Sequence, residues 1–247
     1  MNEKMPLLRT ESLHKWYGKI HALRGVNIEV YSGEVLALVG DNGAGKSTFV
    51  KIISGVERKT SGKIFWKGKE TEITSIEQAR NLGIETVYQE QALAPQLTVL
   101  QNIFLGRPWT KFGPLKVLDN KKMAQAARRV IDELGLNIQV DQEVRFCSGG
   151  EQQGVAVARA LLFKAGLVIL DEPTRALSAT GVERILEFIR GLKRQGIAVI
   201  IVSHVFPQIF PVTDRFIILS RGEVIAEKRA EETSSEDLTR IVIEKTA

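Results

Sequence analysis

The sequence predicts an α/β fold with a largely parallel sheet, an antiparallel β-subdomain at its N-terminus and an inserted helical subdomain. Three observations predict this fold. Apolar alternation indicates strands in the first part, strands alternate with helices in the last third, and the stretch from about residue 90 to residue 150 lacks that alternation. We therefore expect a single domain in which residues 1–89 and 151–247 form the core and residues 90–150 form the helical subdomain.

The composition of the chain limits the classes of protein to which it can belong. The chain has 247 residues, of which 44% are hydrophobic and 26% charged, as is usual for a globular domain with a large core. One cysteine excludes an internal disulfide. No apolar run approaches the roughly eighteen residues that cross a bilayer, and the N-terminus lacks an apolar signal region, so we expect a cytosolic chain. The net charge of +5 suits nucleic acid, an anionic membrane surface or phosphate ligands without choosing between them, and a solvated mixed surface is expected because basic residues recur along the chain.

The first elements are strands followed by a helix. LLRTESLHKWY and VNIEVYSGEVLALVG alternate around a turn at Ser32–Gly33, and the compact apolar run from Val35 to Val39 predicts a buried strand. GKSTFVKIISG then predicts a helix that Gly55 closes. The glycine-rich segment between this strand and this helix therefore lies at a strand-to-helix turn.

The later elements follow from similar patterns. KKMAQAARRVIDELG predicts a helix that stops at Gly135, and its apolar face consists of Met123, Ala126, Ala127, Val130, Ile131 and Leu134. The last third predicts a helix to residue 165, a strand at 167–170, a helix at 182–196, a strand at 198–203 and a hairpin at 215–227. This alternation favours parallel strands that are joined by helices.

The strand-to-helix turn contains a phosphate-binding pattern. GDNGAGKST matches G-x-x-x-x-G-K-[ST] in full and lies between a buried strand and a helix, where backbone N–H groups favour a polyphosphate. Lys46 can reach the β- and γ-phosphates of a nucleotide, and Ser47 can supply a magnesium ligand. The predicted nucleotide-binding residues here are Gly40, Asn42, Gly43, Ala44, Gly45, Lys46, Ser47 and Thr48.

An acidic segment later in the chain completes this predicted nucleotide site. LVILDEP ends an apolar strand in two carboxylates at the edge of the sheet where ligands lie in open α/β folds. Asp171 can hold magnesium through water, and Glu172 can orient or deprotonate the attacking water. GTPases of this broad class recognise guanine with the pattern Asn-Lys-x-Asp. The sequence does not contain this pattern, because Asn120–Lys121 is followed by Lys122 and Met123. ATP is therefore the expected nucleotide, with Mg²⁺.

The order of these motifs resembles the nucleotide-binding domain of ATP-binding-cassette (ABC) proteins. After the P-loop come a glutamine in TVYQEQ, then SGGEQQ just upstream of LVILDEP, and then a histidine after IIVS. The resemblance covers essentially the whole chain, and it implies a P-loop NTPase core that hydrolyses ATP. It also implies a dimer in which two domains dock head to tail around two ATP molecules.

The resemblance assigns further roles residue by residue. Ser148, Gly149 and Gly150 would close on the γ-phosphate held by the partner's P-loop, since absent side chains let backbone N–H groups approach. Tyr17 would stack on adenine, Gln89 would contact magnesium and the attacking water, and His204 would contact the γ-phosphate. His14 and His21 match nothing in the family pattern, and we interpret them as structural.

Within the family, two stretches resemble importers of simple sugars of the ribose, xylose and fructose type. These are TVYQEQALAPQLTVLQNIFLGR and GEQQGVAVARALLFKAGLVILDEPTRALS. The resemblance implies a membrane-associated ATPase at the cytoplasmic face of the cell membrane, working with integral-membrane permease subunits. It also implies a periplasmic or extracellular solute-binding protein that acts through the permease, a homodimer with ATP at the interface, and no nucleic-acid partner.

Several residues depart from the family pattern. Cys147 and Glu151 replace the usual leucine before SGG and glutamine after it, and Ser178 replaces an aspartate that couples the two sites in many relatives. Glu151 brings a carboxylate near the partner's ATP. Pro207 suits the start of a helix after His204, and Pro211 is expected to kink that helix or to end it early.

Two other functions fit the same motifs. The cargo could be an amino acid, a nucleoside or another small solute, because cargo contacts lie on other subunits. A cassette without a transporter, acting on nucleic acid or ribosomes, is the second alternative. Such proteins usually carry two cassettes, long coiled coils or basic extensions, and none of these is visible in the sequence, so we expect the importer instead.

Overall fold

A computed structural model describes residues 5–87, 93–111, 117–163, 165–175 and 179–246. The chain forms two compact units, one of residues 1–86 with 166–247 and one of residues 87–165. The sequence-based boundaries, with a core of residues 1–89 and 151–247 and a helical subdomain of residues 90–150, stay a prediction.

The first unit contains an antiparallel sheet of four strands in the order β2-β1-β4-β5. Its strands are β1 (Leu8–Tyr17), β2 (Ile20–Val30), β4 (Ser61–Trp66) and β5 (Lys69–Glu70). The long pairing of β1 with β2 runs from Leu8 opposite Val30 to Tyr17 opposite Ile20, so Tyr17 lies at the turn of the hairpin. The predicted antiparallel β-subdomain is confirmed.

A six-stranded sheet forms the other part of this unit, in the order β12-β11-β3-β10-β9-β6. The strands are β3 (Val35–Val39), β6 (Ile84–Val87), β9 (Leu167–Asp171), β10 (Ala198–Val202), β11 (Arg215–Ser220) and β12 (Glu223–Arg229). β3, β9, β10 and β11 pair in parallel, and β12 pairs antiparallel with β11. Because β3 and β10 are buried at every position, they read as apolar runs without alternation.

The helices of the first unit connect these strands and have the bounds α1 (Lys46–Ile53), α2 (Ile76–Leu82), α6 (Ala179–Arg194), α7 (Phe206–Ile209) and α8 (Ser235–Thr246). α6 begins before the predicted start at residue 182, and it ends at Arg194 just before Gly196 (φ 76). α7 has a proline in its first turn and ends after four residues. A 3₁₀ turn over Phe210–Val212, which contains Pro211, follows. Pro211 therefore ends the helix early, as predicted.

In the described part of the second unit, the helices α3 (Val99–Ile103), α4 (Asn120–Glu133) and α5 (Gly149–Leu162) pack around an apolar cluster. The predicted apolar face of α4 is confirmed, because four of its residues are buried and the other two pack against the cluster. Cys147 is buried in the same cluster, which agrees with an apolar packing role. The sequence patterns did not reveal the short hairpin of β7 (Thr110–Lys111) and β8 (Val117–Leu118).

None of the helices in the described part of the chain is long and apolar enough to cross a membrane.

Candidate functional site

The glycine-rich loop lies where β3 ends and α1 begins. Gly40, Gly43 and Gly45 have φ angles of 144°, 81° and 107°, which side-chain-bearing residues rarely adopt. A Cβ on Gly40 would lie 2.1 Å from the carbonyl oxygen of Leu219, whereas a Cβ on Gly43 would meet no atom within 4 Å. The packing of the loop therefore requires a glycine at position 40. Gly43 borders open space, which is expected of a residue that leaves room for a ligand.

Lys46 is buried at the start of α1 and is held over the loop. Its Nζ donates hydrogen bonds to the carbonyl oxygens of Gly40 at 2.6 Å and Asp41 at 2.8 Å. Burial lowers the pKa of Lys46, and Glu172, Asp41 and Asp171 oppose that shift. The ammonium group is thus fixed inside the loop, where the P-loop pattern requires it.

The turn between β11 and β12 supports the loop from behind. The backbone N–H of Gly222 donates to the carbonyl oxygen of Ala44 at 3.0 Å, and a Cβ on Gly222 would lie 2.7 Å from the carbonyl oxygen of Ala22. Sequence reasoning missed this contact. The dipeptide Arg221–Gly222 weakly indicates a tight turn. Nothing in the sequence indicates that this turn contacts Ala44, because the two segments are far apart in the chain.

The two carboxylates lie at the carboxyl end of β9, beside the end of β10. Asp171 pairs in register with Val202 of β10, and the backbone N–H of Glu172 donates to the carbonyl oxygen of Val202 at 2.8 Å. Burial, and secondarily the charge of Glu172, raises the pKa of Asp171. The sheet thus concentrates negative charge at one edge, facing a lysine.

Glu172 adopts a left-handed backbone conformation, with φ 52°. For a residue with a side chain this costs about 1–2 kcal/mol, so the surrounding structure must impose it. Its carboxylate Oε1 lies 2.7 Å from Nδ1 of His204, which follows β10. The Glu172 side chain is only 11% exposed and that of His204 is 55% exposed, so the pair joins a shielded carboxylate to an accessible imidazole.

The possible magnesium ligands fit the ion chemically. The Ser47 side chain is exposed, and neither its hydroxyl nor the Asp171 carboxylate forms a hydrogen bond with another described residue. A hydroxyl and a carboxylate are oxygen donors of the kind that Mg²⁺ prefers. Gln89, the other predicted ligand, lies outside the described residues, as does Ser178.

The Ser-Gly-Gly segment begins α5 in the second unit. Ser148 is the N-cap, and its hydroxyl is 2.9 Å from Oε2 of Glu151, which also accepts the Ser148 N–H at 2.7 Å. A Cβ on Gly149 or Gly150 would meet no atom within 4 Å, so both positions border open space. Glu151, a departure from the family pattern, thus forms a capping box with Ser148.

Tyr17 is accessible at the end of β1, and the ammonium of Lys15 lies 4.8 Å from its ring centre. Close by, His14 Nδ1 lies 3.0 Å from His21 Nε2, and the rings of Trp16 and His21 stack at 3.8 Å. The two histidines therefore contact each other within the hairpin that ends in Tyr17, in agreement with a structural interpretation.

Comparison with known proteins identifies the family. The family model described as ABC transporter matches residues 23–175. This chain belongs to the ABC transporter family. Its fold matches solved cassettes: an ATP-binding cassette of an ABC transporter in its ADP conformation has a TM-score of 0.85 at 27% identity, and the match covers 97% of this chain and 99% of that one. The predicted fold class is confirmed, and the chain is an ATPase cassette that binds nucleotide.

Curated relatives are ATP-binding proteins of sugar importers. The xylose/arabinose import ATP-binding protein of Sulfolobus acidocaldarius is 43% identical over 96% of this chain and 93% of its own length. The fructose import protein of Rhizobium meliloti is 44% identical over 88% of this chain and 86% of its own length. The ribose import protein of Caldanaerobacter subterraneus is 38% identical over 96% of this chain, and this chain spans 48% of it.

Proposed function

We propose that this cassette is the ATP-hydrolysing subunit of an importer for a monosaccharide. The observation that supports this most directly is the convergence of the P-loop, Asp171, Glu172 and His204 at one edge of the parallel sheet. Relatives that import xylose or arabinose, ribose and fructose give the solute class. ATP hydrolysis would energise uptake through the membrane subunits.

Each residue at the edge has a defined task in this proposal. Backbone N–H groups of Gly40–Thr48 and the ammonium of Lys46 bind the phosphates, and Tyr17 stacks on adenine. Glu172 orients the attacking water and accepts its proton, and His204 holds the Glu172 carboxylate while its free nitrogen remains available to the γ-phosphate. Ser47, Asp171 and Gln89 would hold Mg²⁺, which neutralises charge on the phosphoryl group when bound.

The family and a dimeric solved cassette support the proposed partners. A bacterial ABC transporter cassette that was solved as a dimer has a TM-score of 0.77 at 26% identity, covering 90% of this chain and 98% of that one. We propose a homodimer in which Ser148, Gly149 and Gly150 of one copy cap the ATP of the other. The dimer would act at the cytoplasmic face of the cell membrane, against permease subunits that receive the sugar from a solute-binding protein.

Replacing the proposed base tests the chemistry. Glu172→Gln keeps the size of the side chain and removes its ability to accept a proton, so we expect ATP binding to persist and turnover to fall by at least about 10²-fold. Steady-state ATPase assays and equilibrium binding measure the two effects. Glu183→Gln, at an exposed position on α6, is the matched control. Turnover that survives Glu172→Gln would show that another group accepts the proton.

Purification from native membranes tests the transport role. We expect the tagged chain to recover a polytopic permease from gently solubilised membranes, and uptake by that assembly to prefer a pentose or hexose. Preference for an amino acid or nucleoside would keep the importer and change the cargo. Recovery of ribosomal or nucleic-acid partners alone would contradict the importer.

A further inference from the structure

Positive charge is concentrated in one part of the second unit. The described residues 105–111 and 117–133, which include the whole of α4, contain six basic residues (Arg107, Lys111, Lys121, Lys122, Arg128 and Arg129) and three acidic residues (Asp119, Asp132 and Glu133), a net charge of 6 − 3 = +3.

The β7–β8 hairpin and the first turn of α4 form one stretch of surface. The backbone N–H of Asp119 donates to the carbonyl oxygen of Trp109 at 2.9 Å, and the Trp109 N–H donates to Sδ of Met123 at 3.3 Å. The ammonium of Lys122 lies 5.3 Å from the centre of the Trp109 ring. These contacts fix the base of the hairpin against α4, so exposed residues of both elements adjoin.

The outer side of α4 is cationic. Lys121 and Arg128, seven residues apart, lie two turns from each other on the side opposite the buried Met123 and Ala127. Lys121, Arg128 and the adjacent Arg129 are exposed, and none forms an ion pair with another described residue. Their charges are therefore available to a partner.

The charge order along α4 opposes the helix dipole. Lys121 and Lys122 lie in the first turn, where the dipole is positive, and Asp132 and Glu133 lie in the last turn, where it is negative. The reverse order would stabilise the helix by about 0.3–1 kcal/mol per charge. Interaction with the helix dipole therefore does not explain the presence of Lys121 and Lys122.

Two aliphatic side chains are exposed on β8, which immediately precedes α4 in the chain. Val117 and Leu118 of β8 are 45% and 47% exposed. Cations next to exposed aliphatic groups suit the surface of an anionic bilayer, where headgroups pair with the charges and the aliphatic groups enter the interface. Nucleic acid would instead favour exposed aromatic rings, and here Lys122 covers Trp109.

We propose that this basic face binds the surface of an anionic phospholipid bilayer directly; its residues are Lys111, Val117, Leu118, Lys121, Arg128 and Arg129. The contact goes beyond the proposed function, because it gives the cassette a lipid contact of its own in addition to its permease. In this contact, the phosphate groups of the lipid headgroups pair with the lysine and arginine side chains, and Val117 and Leu118 insert shallowly into the interface.

Vesicle co-sedimentation of the purified full-length chain tests the proposal. We expect binding to phosphatidylcholine vesicles that contain phosphatidylglycerol, little binding to pure phosphatidylcholine, and loss of binding in high salt. Lys121→Gln, Arg128→Gln and Arg129→Gln together should weaken binding about a hundredfold, since each cation contributes a factor of about five. Val117→Ser with Leu118→Ser should weaken it further.

A control variant with three substitutions distinguishes the effect of the basic face from the effect of the protein's net charge. Arg58→Gln, Lys69→Gln and Lys228→Gln remove three exposed cations of the first unit, and we expect at most a twofold effect on vesicle binding. Equal loss in both triples, no binding to anionic vesicles, or binding of a single-stranded oligonucleotide in preference to vesicles would overturn the proposal. ATPase activity, measured on every variant, reports separately on the proposed function and on folding.

Discussion

At the scale of single residues, the contact between His204 and Glu172 determines how the water-activating carboxylate is held. The 2.7 Å hydrogen bond joins the end of β9 to the segment after β10, and Glu172 is also fixed by its left-handed backbone. We expect His204→Ala to reduce turnover about 10²–10³-fold, because a loosely held base loses both orientation and the imidazole's contact with the phosphate. Single-turnover ATP hydrolysis measures the effect.

Binding and folding serve as the controls for that substitution. The His204 side chain is 55% exposed, so its removal leaves no cavity and should shift the thermal midpoint little, while the loss of turnover should exceed any loss of ATP affinity. A His204→Ala variant that keeps wild-type turnover would remove His204 from the proposed mechanism. A variant that loses ATP affinity in proportion to turnover would assign the histidine to nucleotide binding alone.

At the scale of elements, the P-loop contains two glycines with different reasons to be glycine. Gly40→Ala places a methyl group 2.1 Å from the Leu219 carbonyl, so we expect a loss of about 3 kcal/mol in the free energy of unfolding. Gly43→Ala meets no atom and should cost about 1 kcal/mol, mostly from its φ of 81°, while the methyl obstructs the phosphates. Urea unfolding and ATP binding separate the effects: Gly43→Ala should lose affinity out of proportion to stability, and the opposite ranking would contradict this account of the loop.

The turn before β3 has a pH-dependent stability. Tyr31 donates its hydroxyl to Glu29 at 2.5 Å, which raises the pKa of Tyr31 to about 12. The folded state therefore keeps a proton that the unfolded state releases near pH 10, so this stabilisation is complete below pH 10 and is lost as the pH rises through 12. Allowing for solvent screening, the loss is ~1 kcal/mol. Denaturant titrations should show that Tyr31→Phe loses less stability than wild type over this interval; parallel curves would show that the hydrogen bond contributes nothing.

Elements also show how far the sequence could predict this molecule. Buried apolar runs such as Val35–Val39 were sufficient to predict the strands of the sheet. The order of the motifs predicted which segments lie at its edge. Both predictions were possible because hydrophobic periodicity and the positions of glycines are local features of the sequence. Glu172, with its φ of 52°, is hydrogen-bonded to Val202, and Gly222 behind the P-loop is hydrogen-bonded to Ala44. Both contacts join residues far apart in the chain, so neither has a local signal in the sequence. The β7–β8 hairpin has strands of two residues, too short for any period to appear.

At the scale of the whole molecule, the proposed site is shared between two copies, so complementary defects should rescue each other. Lys46→Ala disables the P-loop of its own chain, and Gly149→Asp places a carboxylate where the partner's ATP would be capped, in space that the glycine leaves open. Each homodimer should be inactive. In an equal mixture, half of the dimers are mixed, and each of these has one intact site formed by the wild-type P-loop of one chain and the wild-type Ser-Gly-Gly segment of the other.

The mixture should therefore recover up to about a quarter of wild-type turnover, as random pairing of two-fold dimers requires. The measurement is the ATPase rate against the mixing ratio, which should peak at equal amounts and vanish at either end. A third chain with both substitutions provides the control, because mixing it with either single variant leaves no intact site. If the mixture stays inactive while light scattering shows that mixed dimers form, hydrolysis requires two intact sites at once. If Gly149→Asp alone is fully active, the Ser-Gly-Gly segment does not contact the partner's nucleotide.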